Sequence, residues 1–144
     1  EADEAAMIIK VFQLNDLKAK DLMIPRVSAP CLDGSSTLEE ISKLIISDNS
    51  PWWVVLGDKV DKIQGVIERE KLLTELIQGK NKKILSELCN PVEYIPEMIK
   101  VDQLLTRFDQ NHKQVKVVVD EFGGFVGIIG AEAVLSVLAG WWKK

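Results

Sequence analysis

The sequence contains few side chains of the types that do chemistry, and their spacing matches none of the common catalytic signatures. His112 is the only histidine, and a catalytic or zinc-binding role would need convergent partners that the sequence does not supply. We therefore expect His112 to be a polar residue at a helix end. Cys31 and Cys89 are too few and too far apart for a disulfide framework, so both are predicted to be small core residues in a reducing compartment.

Asp120 and Glu121 are neighbouring carboxylates, which suggest a cation site. A hard cation needs about six oxygen ligands, however, and two neighbouring carboxylates in a hairpin turn usually point into water. The Gly123-Gly124 pair that follows is typical of such a turn, so turn formation explains these residues. The sequence also lacks the glycine-rich phosphate loop, the nucleophile elbow and the zinc-protease helix motif. We expect neither catalytic residues nor a metal site, so an enzyme that acts on nucleotides is only a remote alternative.

Composition and charge exclude other classes of function. Lysine and arginine number 18 against 22 acidic residues, a net charge of −4, and no basic run is long enough to bind nucleic acid. The most apolar stretch, Phe125 to Trp142, is interrupted by Glu132 and by glycines, which favours a strand and a helix over a membrane span. Because the chain opens with Glu1 rather than Met, we read it as a fragment whose upstream part is missing.

An internal repeat organises the chain. The stretch Asp21 to Pro25 (DLMIP) recurs as Glu87 to Pro91 (ELCNP), and each copy leads into a predicted strand, first Ala29 to Leu32 and then Val92 to Ile95. A helix is predicted after each of these strands. The first begins with a capping box at Ser36-Thr37-Leu38-Glu39, and both helices carry an apolar stripe. The stripe residues are Leu38, Ile41 and Ile45 in the first copy and Val101, Leu104, Leu105 and Phe108 in the second.

A hairpin and a second helix complete each copy. Short β-branched and aromatic runs at Trp52 to Leu56 and Val115 to Val119 predict buried strands. Each is followed by a turn and by a strand that leads into a helix, and these closing segments, 65–73 and 127–135, align without a gap. Gly79 and Gly140 are predicted to end the closing helices in the left-handed conformation.

The sequence therefore predicts an α/β (α+β) fold with the order β-α-β-β-α repeated twice. The expected divisions are a leading helix or linker at 1–20, the first copy at 21–80, the second copy at 81–140, and a tail at 141–144.

This repeat resembles the tandem CBS-domain pair, or Bateman module, and in particular that of the CNNM/CorC (HlyC-like, haemolysin-related) magnesium and cobalt transport proteins. The likeness spans roughly residues 8 to 140 and rests on three stretches: Val11 to Asp16, Asp21 to Arg26, and the hairpin Val117 to Ile129. The resemblance implies two βαββα motifs packed as a pseudo-symmetric pair, homodimerisation, and a position on the cytoplasmic face of the cell membrane behind the protein's own transmembrane domain. Residues 2–14 would then be the end of an acidic helical bundle.

The resemblance also implies clefts that hold adenine nucleotides such as ATP or AMP, with magnesium in relatives. In this chain Pro25, Arg26 and Val117 match the positions that would contact a nucleotide, and Arg26 could meet a phosphate. The family holds the ribose with a Thr/Ser-x-x-Asp motif after the last strand of each copy. Here those positions are Glu68-x-x-Lys71 and Gly130-x-x-Ala133, so neither copy keeps that clamp.

Two hypotheses follow from this departure. The first is a non-catalytic regulatory module that senses adenine nucleotide and couples it to ion transport. The second is a degenerate pair that serves only as a dimerisation scaffold. The paired tryptophans, Trp52-Trp53 and Trp141-Trp142, fit either core packing or an intermolecular contact, because adjacent strand residues point to opposite faces.

Overall fold

The computed structural model describes residues 16–58, 62–108 and 115–142 of the 144-residue chain. Six α-helices and seven strands lie in this part of the chain. The helices are α1 (Ala19–Leu22), α2 (Leu38–Ser47), α3 (Arg69–Ile77), α4 (Leu85–Leu88), α5 (Val101–Arg107) and α6 (Ala131–Trp142). The strands are β1 (Ile24–Pro25), β2 (Cys31–Asp33), β3 (Trp52–Leu56), β4 (Ile63–Glu68), β5 (Tyr94–Pro96), β6 (Lys116–Val119) and β7 (Phe125–Ile129).

These elements form two compact units. The first unit is residues 28–92, and the second unit combines the described residues up to Val27 with those from Glu93 onward. Within the units the predicted order β-α-β-β-α occurs twice, as β2-α2-β3-β4-α3 and β5-α5-β6-β7-α6. The mixed α/β fold predicted from the repeat is thus confirmed. The repeat bounds 21–80 and 81–140 concern sequence similarity and stay a prediction, since the compact units follow different bounds.

The first unit is built on a three-stranded sheet in the order β2-β3-β4. β2 runs parallel to β3, and β3 runs antiparallel to β4. One face of the sheet carries Trp53, Val55 and Ile67, which pack with the apolar sides of the helices into one core. Trp52 and Glu68 are paired across β3 and β4 and, by the alternation of side chains, lie on the other face.

The second unit has a four-stranded sheet in the order β1-β7-β6-β5. β5 and β6 are parallel, and both β1 and β6 pair with β7 in antiparallel fashion. Its core gathers Ile95, Val118 and Ile129 from the strands with apolar residues of the helices. Ala19 of α1 is fully buried in this core, although it precedes the first unit in the chain.

The opening stretch of each repeat copy pairs with the closing strand of the other copy. Ile24 and Pro25, in the opening stretch of the first copy, pair with Ile128 and Gly127 of β7. In the first unit, Asn90, in the opening stretch of the second copy, bridges to β4, where Asn90 and Val66 exchange backbone hydrogen bonds of 2.8 and 3.0 Å. The closing strands carry glycine at these crossings because a β-carbon at Gly65 or Gly127 would collide with the crossing backbone.

Local signals placed most elements correctly. The stripe Leu38, Ile41 and Ile45 is buried on α2, and Trp52–Leu56 is a strand with the predicted bounds. The capping box was placed one residue too early, because Thr37 rather than Ser36 is the N-cap. Thr37 Oγ1 accepts from the Glu40 amide at 3.3 Å, and Glu40 Oε1 accepts from the Thr37 amide at 3.0 Å.

The two predicted helix-ending glycines differ. Gly79 adopts a φ of +78° directly after the C-cap residue Gln78 of α3, as predicted. The prediction for Gly140 was wrong, since α6 continues through it to Trp142. Gly140 is followed in the sequence by Trp141 and Trp142 rather than by proline, and one glycine within a helix costs only about 1 kcal/mol relative to alanine. Within the described residues, no helix is both long and apolar enough to span a bilayer.

Candidate functional site

Five of the residues predicted to surround a nucleotide belong to the second unit. Pro25 ends β1 and pairs with Gly127, while Arg26 follows it in a short 3₁₀ turn. Val117 lies on β6 and pairs with Ile128, the residue that also pairs with Ile24 of β1. Gly130 and Ala133 lie where β7 passes into α6. The fold thus places the five on β1, the turn that follows it, β6 and the β7–α6 junction.

Arg26 is half-buried, and its side chain rests on the sheet. The guanidinium carbon lies 5.9 Å from the centre of the Phe125 ring, within the range of a cation–π contact. Such a contact contributes about 0.5–1 kcal/mol at an exposed site. It keeps the guanidinium, a planar fork of N–H donors, close to the Phe125 ring of β7.

Val117 offers little side-chain chemistry. Its side chain is fully buried, and its amide donates to the Glu93 carbonyl at 3.0 Å. A ligand could therefore use Val117 only as part of the rigid strand that supports the site.

The start of α6 lacks hydroxyl and carboxylate groups at both predicted clamp positions. Gly130 is buried, and its carbonyl accepts from the Ala133 amide at 3.2 Å. Glu132, in the first turn of α6, is a charged residue beside this position that was not predicted as part of the site. A β-carbon on Gly130 would lie only 2.5 Å from Glu132 Oε1, so this carboxylate lies beside the clamp position. An acidic residue in the first helical turn is favoured by the helix dipole, and that local signal was available in the sequence.

The equivalent positions of the first unit carry charges instead. Glu68 is the N-cap residue of α3 but makes no capping hydrogen bond, and Lys71 follows in the first turn. Both side chains are half-buried. Burial raises the pKa of the Cys89 thiol. The positive charge of Lys71 acts in the opposite direction, because it favours the thiolate, but its effect is smaller. These groups could bind polar ligands, but they are not the hydroxyl and aspartate of the clamp.

The other side chains considered as chemistry candidates have structural roles or fall outside the described residues. His112 lies in the part of the chain that is not described. Asp120 Oδ1 accepts from the amides of Phe122 and Gly124 at 2.9 and 2.8 Å, which closes the predicted hairpin turn. The Cys31 thiol donates to the Ala29 carbonyl at 3.4 Å and the Cys89 thiol to the Ser86 carbonyl at 3.5 Å, and both residues are half-buried. In the described ranges, no three histidine, cysteine or acidic residues cluster closely enough to hold a metal ion.

A surface cavity of about 650 Å³ lies elsewhere in the first unit, in the turn between α3 and α4. This cavity was not predicted from the sequence, although the lysine-rich run 80–83 was a visible signal for it. Two of the backbone carbonyls there, of Asn81 and Lys83, accept from the first amides of α2. None of the residues predicted to bind nucleotide lines this cavity, whose lining is Glu39, Gly79, Lys80, Asn81, Lys82, Lys83 and Glu87.

Comparison with known families and proteins supports the resemblance. Residues 85–140 match the CBS domain family. The UPF0053 protein sll1254 of Synechocystis is 41% identical over 140 residues, which are 97% of this chain and 40% of that protein. The magnesium and cobalt efflux protein CorC of Salmonella typhimurium is 26% identical, again over 97% of this chain and 48% of its own length. The chain thus spans less than half the length of these relatives.

Solved structures show the same fold. The CBS domain of a bacterial CNNM/CorC family Mg²⁺ transporter in complex with ATP superposes with a TM-score of 0.83 at 27% identity, covering 96% of this chain and 98% of that one. A haemolysin-like protein containing a CBS domain, from Oenococcus oeni, superposes with a TM-score of 0.79 at 25% identity and covers 92% and 97%.

Proposed function

Because the chain carries a CBS domain and is related to the CorC and UPF0053 proteins, we propose that it is the non-catalytic regulatory CBS pair of a membrane protein that transports magnesium or cobalt ions. The carrying observation is the fold, two β-α-β-β-α copies whose likeness to the ATP-bound CBS domain extends over almost the whole chain. In this proposal the pair lies on the cytoplasmic face of the membrane, forms a homodimer and changes transport by changing its own arrangement.

The second unit is the proposed place for an adenine nucleotide. Arg26, which lies against Phe125, supplies the positive charge that binds a phosphate. The paired strands β6 and β7 form the rigid surface against which the nucleotide packs. A magnesium ion bound with ATP would offset the negative charge that Glu132 brings to this region.

The alternative is a dimerisation scaffold that binds no nucleotide. It is favoured by one observation, the absence of hydroxyl and carboxylate at Gly130 and Ala133 together with the carboxylate of Glu132 beside them. Loss of one buried hydrogen bond to a ribose costs about 1–3 kcal/mol, so loss of both could shift micromolar affinity to millimolar.

Calorimetric titration with ATP, ADP and AMP, with and without Mg²⁺, separates the two functions. The mass of the protein in solution is first determined by light scattering, and the proposal expects a dimer. Saturable binding of one of these nucleotides at micromolar concentration supports the sensor and rejects the scaffold. A dimer that gives no heat up to millimolar nucleotide supports the scaffold, and a monomer contradicts both. Release of inorganic phosphate from ATP would instead indicate an enzyme.

A further inference from the structure

The second unit is completed by a chain segment that comes before the first unit. We call this segment, Leu17–Val27, the strap. It crosses the second unit through three backbone hydrogen bonds of 2.9–3.0 Å outside the sheet: from Ala19 to the Ile99 carbonyl, from Lys20 to the Glu97 carbonyl, and from Val101 to the Leu17 carbonyl. β1, within the strap, then adds a strand to the sheet beside β7.

The strap also supplies part of the core of the second unit. Ala19 is fully buried among the core residues, and Leu17, Leu22 and Met23 pack against the same cluster. Met23 lies over Gly127, where the absence of a side chain leaves room for it. Removal of the strap would therefore expose apolar surface on the second unit and leave β7 as an open sheet edge.

Among the described residues, the core of the first unit shows no such dependence. All members of its core cluster lie between Leu32 and Cys89, within residues 28–92. Its own crossing segment, around Asn90, reaches β4 from the end of the same unit. The two units thus contain the same order of elements but differ in chain path. In the described part of the chain, the second unit combines residues that come before the first unit in the sequence with residues that come after it, and the first unit is continuous.

We propose that the strap is a coupling device that links whatever precedes residue 17 to the second unit. Displacement of the strap breaks its three crossing hydrogen bonds, uncovers the core and removes Pro25 and Arg26 from the site, while the core of the first unit stays intact. By thermodynamic reciprocity, a ligand that stabilises the second unit with Arg26 in place also holds the strap down. That this coupling regulates transport rests on the proposed function. The equilibrium between the bound and displaced strap is independent of that function.

Native-state amide hydrogen exchange of the whole 144-residue chain, without nucleotide, tests the proposal. The variant Gly127→Ala places a β-carbon 2.6 Å from the Ile24 carbonyl oxygen and forces the strap to shift. The matched control, Gly65→Ala, creates the same conflict with Asn90 in the first unit. We expect Gly127→Ala to speed exchange at Ala19, Lys20 and Val101 by about tenfold or more, with the first-unit amides of Val54 and Val66 within about twofold of wild type.

The Gly65→Ala control should give the reverse pattern. Equal acceleration in both units by Gly127→Ala, or no acceleration at the strap, would overturn the proposal.

If Gly127→Ala fails to fold, Met23→Ala provides the test, because it removes only the side chain over Gly127. Met23→Ala should accelerate the strap amides selectively, and Met98→Ala, at a half-exposed methionine of the same unit, should not. Uniform or absent effects of Met23→Ala would overturn the proposal, and because no ligand is used, this result is independent of the nucleotide titration.

Discussion

Lys116 and Glu93 form an ion pair with a distance of 2.6 Å between Nζ and Oε2, in which the Lys116 side chain is 7% exposed and the Glu93 side chain 42% exposed. The ammonium group also lies 5.0 Å from the centre of the Phe108 ring, and Glu93 accepts a second bond from Arg107 at 3.1 Å. The pair joins the start of β6 to the residue before β5. A lysine can be buried on this strand because a carboxylate and an aromatic face compensate its charge.

We predict that Glu93→Gln destabilises the protein by about 1–2 kcal/mol. Loss of a charged partner from a buried ion pair costs about 3–5 kcal/mol, and the partial exposure of Glu93 reduces that figure. The measurement is the urea midpoint and slope. Glu121→Gln, in the exposed hairpin turn, is the matched control and should change stability by less than about 0.5 kcal/mol. Equal effects of the two substitutions would show that the pair contributes nothing.

The same pair predicts a pH dependence. The hydrogen bond from Lys116, aided by the charges of Lys116 and Arg107 and by the Arg107 hydrogen bond, holds the pKa of Glu93 below its ordinary value of 4.5. A carboxyl with a lower pKa in the folded state stabilises the protein fully above the unfolded value and loses this contribution as pH falls through the folded pKa. The stability difference between wild type and Glu93→Gln should therefore be constant from pH 7 to about pH 5 and shrink below pH 4. A difference that grows with acidity would contradict this assignment.

Trp53 gives a prediction about packing in the first unit. The residue is 2% exposed, and within the described residues its Nε1–H has no hydrogen-bond partner. Trp53→Phe keeps most of the ring and removes the unsatisfied donor, so we expect a loss of less than about 1.5 kcal/mol. Trp53→Ala leaves a cavity and should cost about 3–5 kcal/mol. Trp52→Ala, at the half-buried neighbour, is the control and should cost clearly less; a reversed order in urea denaturation would show that Trp52 is the packed residue.

Restoring the missing clamp should increase nucleotide affinity. In the triple variant Gly130→Thr, Glu132→Ala and Ala133→Asp, the threonine and aspartate can bond to ribose hydroxyls, and the removal of Glu132 makes room for the threonine side chain. Two new hydrogen bonds at about 1 kcal/mol each would raise ATP affinity by at least about tenfold in calorimetry. Glu132→Ala alone is the control. Unchanged affinity in the triple variant would mean that ribose contacts at this position do not limit binding.

The amino-acid sequence by itself determined the local elements. Strand Trp52–Leu56 and the buried stripe of α2 could be predicted because side-chain periodicity and capping act over a few neighbouring residues. The hairpin at Gly123 was predictable for the same reason, since Asp120 closes it with bonds to residues two and four positions away. The departure of Gly130 and Ala133 from the ribose-binding pattern was also evident from the sequence, once the family resemblance had supplied that pattern.

Tertiary structure decided which segments meet. The stretches 21–25 and 87–91 look alike, and nothing local in either shows that the first pairs with β7 and the second with β4. Strand pairing is non-local, and its partner depends on which apolar surfaces can be buried together. The same reason explains why the burial of Lys116 beside Glu93, and the dependence of the second unit on Ala19, became evident only in three dimensions.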